Sequence, residues 1–151
     1  MSEASAPAVH ATVVAIGEWA VAILGPSGSG KSDLALRLID RGAVLVGDDY
    51  VHIRSRDNLP WASAAPALAG KLEVRGIGVL PFEFRDTATL RLCVVLGKAG
   101  ERMPDPWPTA PLAGFSIPCL LLNGFEASAP IKVELAVKSV VDAGLWPVPV
   151  S

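Results

Sequence analysis

Residues Gly25-Pro26-Ser27-Gly28-Ser29-Gly30-Lys31-Ser32 satisfy G-x-x-x-x-G-K-[ST] at every fixed position, directly after an apolar run and directly before a helical pattern. A segment of this kind in that setting is a phosphate-binding loop. It constrains the fold first, because it must leave the end of a strand and open a helix, which calls for an α/β sheet. The residue types follow from the chemistry. Glycines let successive backbone N–H groups turn toward one anion, Lys31 reaches the β- and γ-phosphates, and the Ser32 hydroxyl can ligate Mg²⁺. The nucleotide site is therefore assigned to Gly25, Pro26, Ser27, Gly28, Ser29, Gly30, Lys31 and Ser32.

A chain of 151 residues, 51% hydrophobic and 19% charged, has enough apolar material for one buried core and reads as a single domain over residues 1–151. Its net charge of −2, with no long basic run, predicts neither a nucleic-acid nor a membrane partner. Residues 1–9 lack a basic segment followed by a long apolar one, and no apolar run approaches a membrane span, so a cytoplasmic location is expected. Cys93 and Cys119 are the two cysteines, each inside an apolar run, and read as core residues rather than metal ligands or a disulfide.

Residues 9–16 and 19–24 are apolar or β-branched runs separated by Gly17-Glu18, the pattern of a hairpin feeding the phosphate loop, so the sheet should be mixed. Over residues 31–41, Leu34, Ala35, Leu38 and Ile39 share one helical face, Asp33, Arg37 and Asp40 fall outside it, and Gly42 suits the C-terminal end. Residues 43–47, 90–96 and 117–122 read as further buried strands. Ser128 is expected to cap a last helix with Pro130 in its first turn, Lys132 and Lys138 on its polar face, and Gly144 beyond its end. Residues 55–70 and 97–116 read as long loops that could flank the site.

Asp48-Asp49 follows the strand after the phosphate-loop helix. In an open α/β sheet the C-terminal ends of parallel strands share an edge with the helix N-termini, so these carboxylates and the phosphates should meet. Neighbouring strand residues point to opposite faces, so one carboxylate should take a proton while the other orients it or reaches metal-bound water; the sequence does not distinguish them.

Leu72-Glu73-Val74-Arg75-Gly76-Ile77-Gly78 resembles the signature segment of HPr kinase/phosphorylase. Spacing supports the likeness: His10 stands fifteen residues before Gly25, the double Asp begins sixteen after Ser32, and Glu101-Arg102 resembles the acidic-Arg pair of a later catalytic loop. The resemblance runs from His10 to about Arg102. It implies a kinase that uses ATP and Mg²⁺ to phosphorylate a seryl residue on HPr, the small phosphocarrier of the bacterial sugar phosphotransferase system. By position, it gives Lys31 the phosphates and Ser32 and Glu73 the Mg²⁺. Asp48 and Asp49 become the source of the base, and His10 and Arg102 complete the catalytic set.

Three features depart from the long members of that family. His10 stands too near the start of the chain to be preceded by their N-terminal domain, a pattern similar to the short form in some alpha-proteobacteria. Tyr50 follows the double Asp in place of another polar or basic residue. Residues 118–130 lack the Arg and Lys associated with dephosphorylation, so forward transfer is expected to dominate. The C-terminal helical extension is likewise not expected, and a homo-oligomer is left possible. The expected fold is a phosphate-loop kinase domain with a mixed central sheet. A small-molecule kinase and a non-catalytic nucleotide sensor are the alternative functions.

Overall fold

A computed structural model describes residues 8–150. The reading of the first residues as free of a targeting segment therefore lies outside the described residues up to position 7.

The chain begins with β1 (Ala8–His10), β2 (Thr12–Ile16) and β3 (Trp19–Leu24), then α1 (Lys31–Asp40) and β4 (Val44–Gly47). β5 (Tyr50–Arg56), β6 (Leu59–Ala64), a 3₁₀ turn at Pro66–Leu68, β7 (Lys71–Val74) and β8 (Gly78–Pro81) follow. The last elements are β9 (Ala88–Leu96), β10 (Thr109–Leu112), β11 (Phe115–Leu122), α2 (Ala129–Asp142) and β12 (Val148–Pro149). Hydrogen bonding links ten strands into one mixed sheet in which β9 runs parallel to both β3 and β11, while β7 and β8 form a separate hairpin.

Three expectations need correction. The run over residues 9–16 is not one strand: it breaks at Ala11, so β1 pairs with β5 while β2 pairs with β3 and β4. Most of the expected loop over residues 55–70 is the β5–β6 hairpin, turned by Asp57 (φ 55) and Asn58 (φ 61). Two consecutive left-handed residues match the twist of a hairpin, and Asp and Asn adopt that conformation more readily than other non-glycine residues. Within residues 97–116, β10 pairs with β11 across Ala113 and Gly114, so the true loop is shorter than expected.

The break at Ala11 closes the sheet. Its N–H donates to the Asp49 carbonyl at 3.1 Å, so the edge carrying β1 and β5 curls over to the edge carrying β2 and β4. Strand alternation then separates two cores. Val13, Ala15, Ala20, Ala22, Val46, Ile53 and Cys93 fill the inside of the curl. Val14, Val21, Ile23 and Leu92 face the helices with Leu34, Leu38, Val133 and Val137. Truncating Leu34 or Leu38 to Ala would cost about 2–5 kcal/mol in such a site.

The pairing of β3 with β9 slips between Ala20 and Val21, opposite Leu90 and Leu92. The intervening Arg91 is 1% exposed, with its guanidinium 3.5 Å from the Trp146 ring centre and 4.5 Å from that of Trp19. Its Nε donates to the Leu145 carbonyl at 2.9 Å, fastening the segment after α2 to the sheet. At the start of α2, Ser128 makes no side-chain cap bond. Its carbonyl instead accepts the Lys132 N–H, Pro130 has no N–H to satisfy, and Gly144 (φ 69) lies beyond the end as expected.

Candidate active site

The phosphate loop connects β3 to α1. The Ser29 N–H donates to the Pro26 carbonyl, and α1 starts with the Leu34 N–H on the Gly30 carbonyl. Gly30 is left-handed and no side chain caps the helix, so its first-turn N–H groups face the loop's concavity, where an anion is favoured. A Cβ on Gly25 would stand 2.6 Å from Ser29 Oγ, and one on Gly30 would stand 3.1 Å from the Phe125 ring, so both positions require glycine. Lys31 is 9% exposed, and its ammonium donates to the Gly25 carbonyl at 2.8 Å and the Pro26 carbonyl at 3.1 Å. The loop's own backbone thus holds the cation at the wall of the cleft that Lys31 lines.

Asp48 and Asp49 occupy the turn between β4 and β5, where the curl brings the chain against residues 10–12. Asp49 has a φ of 75, a left-handed conformation that Asp tolerates, and the two carboxylates part there. Asp48 Oδ1 accepts from Thr12 Oγ1 at 2.8 Å and from Ser32 Oγ at 3.0 Å; its Oδ2 accepts the Glu73 N–H at 3.3 Å. Asp49 Oδ1 instead meets His10 Nε2 at 2.8 Å, at an exposed rim. His10 ends β1 and Thr12 opens β2, so the break at Ala11 lets the two side chains reach different members of the Asp pair. The sequence left the two carboxylates undistinguished; the geometry joins Asp48 to the phosphate loop and Asp49 to His10.

These groups line an open cleft of about 650 Å³ that also receives Glu73 and Arg75 from the β7–β8 hairpin. Of the residues singled out in sequence, His10, Ser27, Gly28, Gly30, Lys31, Ser32, Asp48, Asp49 and Glu73 line it. Gly25 and Pro26 act beneath it through their carbonyls, and Ser29 is buried within the loop. Arg102 is exposed on the segment after β9 and does not line the cleft. Sequence reasoning passed over Thr12 and Lys71. Lys71 was findable by strand alternation, two residues from Glu73 on β7, whereas Thr12 stands across the break at Ala11 from His10.

Residues 118–130 do reach the site, contributing Phe125 rather than a cation; the cationic side chains on the cleft besides Lys31 are Lys71 and Arg75. Among the described residues no three or more His, Cys, Asp or Glu side chains gather to hold a metal by themselves. Ser32, Asp48 and Glu73 bring oxygen donors to the cleft, and such a set fits Mg²⁺, which is ordinarily bound by one or two carboxylates together with substrate phosphates. Cys93 and Cys119 lie in register on β9 and β11, and burial pushes both thiols up, as core residues should be.

The family described as HPr Serine kinase C-terminal domain matches residues 2–98. A Streptococcus thermophilus protein named HPr kinase/phosphorylase is 31% identical over 148 residues, covering 89% of this chain and 46% of its own. One of the same name from Streptococcus equi subsp. zooepidemicus is 30% identical over 155 residues, covering 94% of this chain and 48% of its own. The chain thus spans about half the length of the curated relatives it matches. The structure titled Hpr(Ser) kinase/phosphatase from Coxiella burnetii superimposes with a TM-score of 0.77 at 28% identity, covering 91% of this chain and 98% of that one. A phosphate loop joined through Ser32 and Asp48 to the signature strand at Glu73, in a chain matched by that family over residues 2–98, leads to one conclusion: the chain belongs to the HPr Serine kinase C-terminal domain family.

Proposed function

We propose that this protein is a cytoplasmic, ATP- and Mg²⁺-dependent protein-serine kinase acting on an HPr-like phosphocarrier of a bacterial phosphotransferase system. The observation that carries the reading is the pair of bonds from Asp48 to Ser32 Oγ and to the Glu73 N–H, which ties the acidic turn, the phosphate loop and the signature strand together. The names of the relatives support the carrier as substrate. No helix among the described residues is long and apolar enough to cross a membrane.

In this reading the loop amides and Lys31 bind the phosphates and hold the terminal phosphoryl group in line with the incoming seryl hydroxyl. Mg²⁺, bound by Ser32 and Glu73 with the phosphates, would offset charge on the transferring group. Asp48, one hydrogen bond from Ser32, accepts the hydroxyl proton, and His10 orients Asp49 at the rim where the carrier enters. Arg102 keeps only the support of the family resemblance, because it stands outside the cleft.

The rim favours a protein over a metabolite: Leu68 and Val79 line the cleft and are exposed, and Ile77 stands exposed at the hairpin tip. Labelled ATP supplied with an HPr-type carrier and a pool of small metabolites separates the possibilities. Label on the carrier supports this reading, label on a metabolite points to a small-molecule kinase, and binding without transfer points to a sensor.

Lys71 and Arg75 favour a second, slower reaction, attack of inorganic phosphate on the phosphoserine with release of pyrophosphate, since they supply cations that residues 118–130 lack. Forward transfer is expected to exceed it when both are measured on the same carrier.

A further inference from the structure

Phe125 is anomalous for an aromatic side chain: 69% exposed, yet carried on a segment fastened from several directions. The Phe125 N–H donates to Asn123 Oδ1 at 3.0 Å, and the Glu126 N–H donates to the Asn123 carbonyl at 3.2 Å. From α1, Arg37 Nη1 donates to the Glu126 carbonyl at 3.2 Å and Nη2 donates to the Gly124 carbonyl. A Cβ on Gly124 would stand 3.0 Å from Leu96, so the backbone is packed as well as bonded. The ring is therefore a fixed apolar plane at the edge of a polar cleft, and it lies against Gly30 of the phosphate loop.

We propose that Phe125 is the platform on which the nucleobase of the bound nucleotide stacks. This rests on the reading of the loop as a nucleotide phosphate site and adds the subsite for the other end of the molecule. The reacting end is where Asp48 engages Ser32. The nucleoside must extend away from it, and the Phe125 segment is anchored on another face of α1, that of Asp33 and Arg37. The two carboxylates near the ring are already engaged, Asp33 by Arg37 and Glu126 by Lys132, so they leave a planar base without an unpaired charge beside it. An aromatic plane stacks on any base, and such a contact is sequence-tolerant. The platform should therefore add affinity for nucleotides over bare phosphate chains without demanding one particular base.

The test compares wild type, Phe125→Ala, Phe125→Trp and Lys31→Ala by calorimetric titration with Mg-ATP and with Mg-tripolyphosphate, after circular dichroism has shown each variant folded. Phe125→Ala should weaken ATP binding by ~5- to 100-fold, the range of base–aromatic stacking, and leave tripolyphosphate within twofold. Phe125→Trp should restore ATP affinity, and Lys31→Ala should weaken both ligands. An unchanged ATP affinity in Phe125→Ala would overturn the platform, and so would equal losses for the two ligands, which mark a ring that merely supports the loop. A raised KM for the carrier with ATP binding unchanged would overturn it in favour of a carrier-docking residue. Failure of wild type to bind tripolyphosphate, or indifference of both ligands to Lys31→Ala, would overturn the phosphate-site reading and the platform together.

Discussion

Two buried cations sit in opposite kinds of surroundings. Lys31 is 9% exposed and Arg91 1% exposed, and each donates to backbone carbonyls, Lys31 to Gly25 and Pro26, Arg91 to Leu145. Lys31 opens onto a cleft of about 650 Å³ whose amides and donors suit an anion. Arg91 is closed off between two indole rings that meet edge to face at 5.3 Å, and burial pushes its pKa down from the usual arginine range while the Glu18 charge pulls the other way. Burial of charge alone is thus no mark of a site. A functional cation has room beside it for a ligand, whereas a structural one has its remaining faces filled by the protein.

The contrast predicts a double dissociation. Lys31→Ala should lower phosphoryl transfer by ~10³-fold or more, through loss of charge stabilisation at the transferring group, while the melting temperature moves by only about 2–4 °C. Arg91→Ala should do the reverse. Removing the guanidinium from between Trp19 and Trp146 and leaving the Leu145 carbonyl unpaired should cost about 2–4 kcal/mol in urea unfolding, with the transfer rate at 15 °C within about twofold of wild type. A Lys31 variant that melts early, or an Arg91 variant that folds normally but is inactive, would break the comparison.

A smaller effect distinguishes the rim from the centre of the site. His10→Gln removes the partner of Asp49 but leaves every bond to Asp48, so transfer should fall by only about tenfold, with ATP affinity unchanged in a binding titration.

The smallest effect concerns the core. Burial raises the pKa of Cys93 and Cys119 above the unfolded value of 9.0, so their contribution to stability is present below pH 9 and declines as pH rises beyond it. Unfolding free energy should therefore fall between pH 9 and 10 by up to about 1 kcal/mol per thiol, and less in Cys93→Ala. Native protein at pH 8 should leave thiol reagents unreacted until it is unfolded.

What was legible in the sequence was what depends on local pattern. The loop, α1, the Gly17-Glu18 hairpin and the last helix each carry periodicity or turn chemistry within a short window. The acidic pair was placed at the right edge because strand and helix ends share it. Less visible was whatever depends on the curl of the sheet. The break at Ala11 leaves no local signature, since both flanking strands are apolar, yet it sends His10 to Asp49 and Thr12 to Asp48. Asp57-Asn58 lacks the glycine that most strongly marks a two-residue turn, so its hairpin read as a loop. The burial of Arg91 has no local signal either, because the register slip beside it is a property of the β3–β9 pair. Arg102 shows the opposite failing, a residue matched in order and spacing that the fold leaves outside the cleft.

The central claim is that Asp48, through Ser32, makes the phosphate loop a site of transfer and not of binding alone. Single-turnover transfer from labelled ATP to an HPr-type carrier, measured beside the ATP dissociation constant in wild type, Asp48→Asn and Asp49→Asn, tests it most directly. Asp48→Asn should lose ~10²-fold or more in transfer rate with ATP binding within a few-fold of wild type, and Asp49→Asn should lose less. Near-wild-type transfer in Asp48→Asn, or a larger loss in Asp49→Asn, would contradict the account.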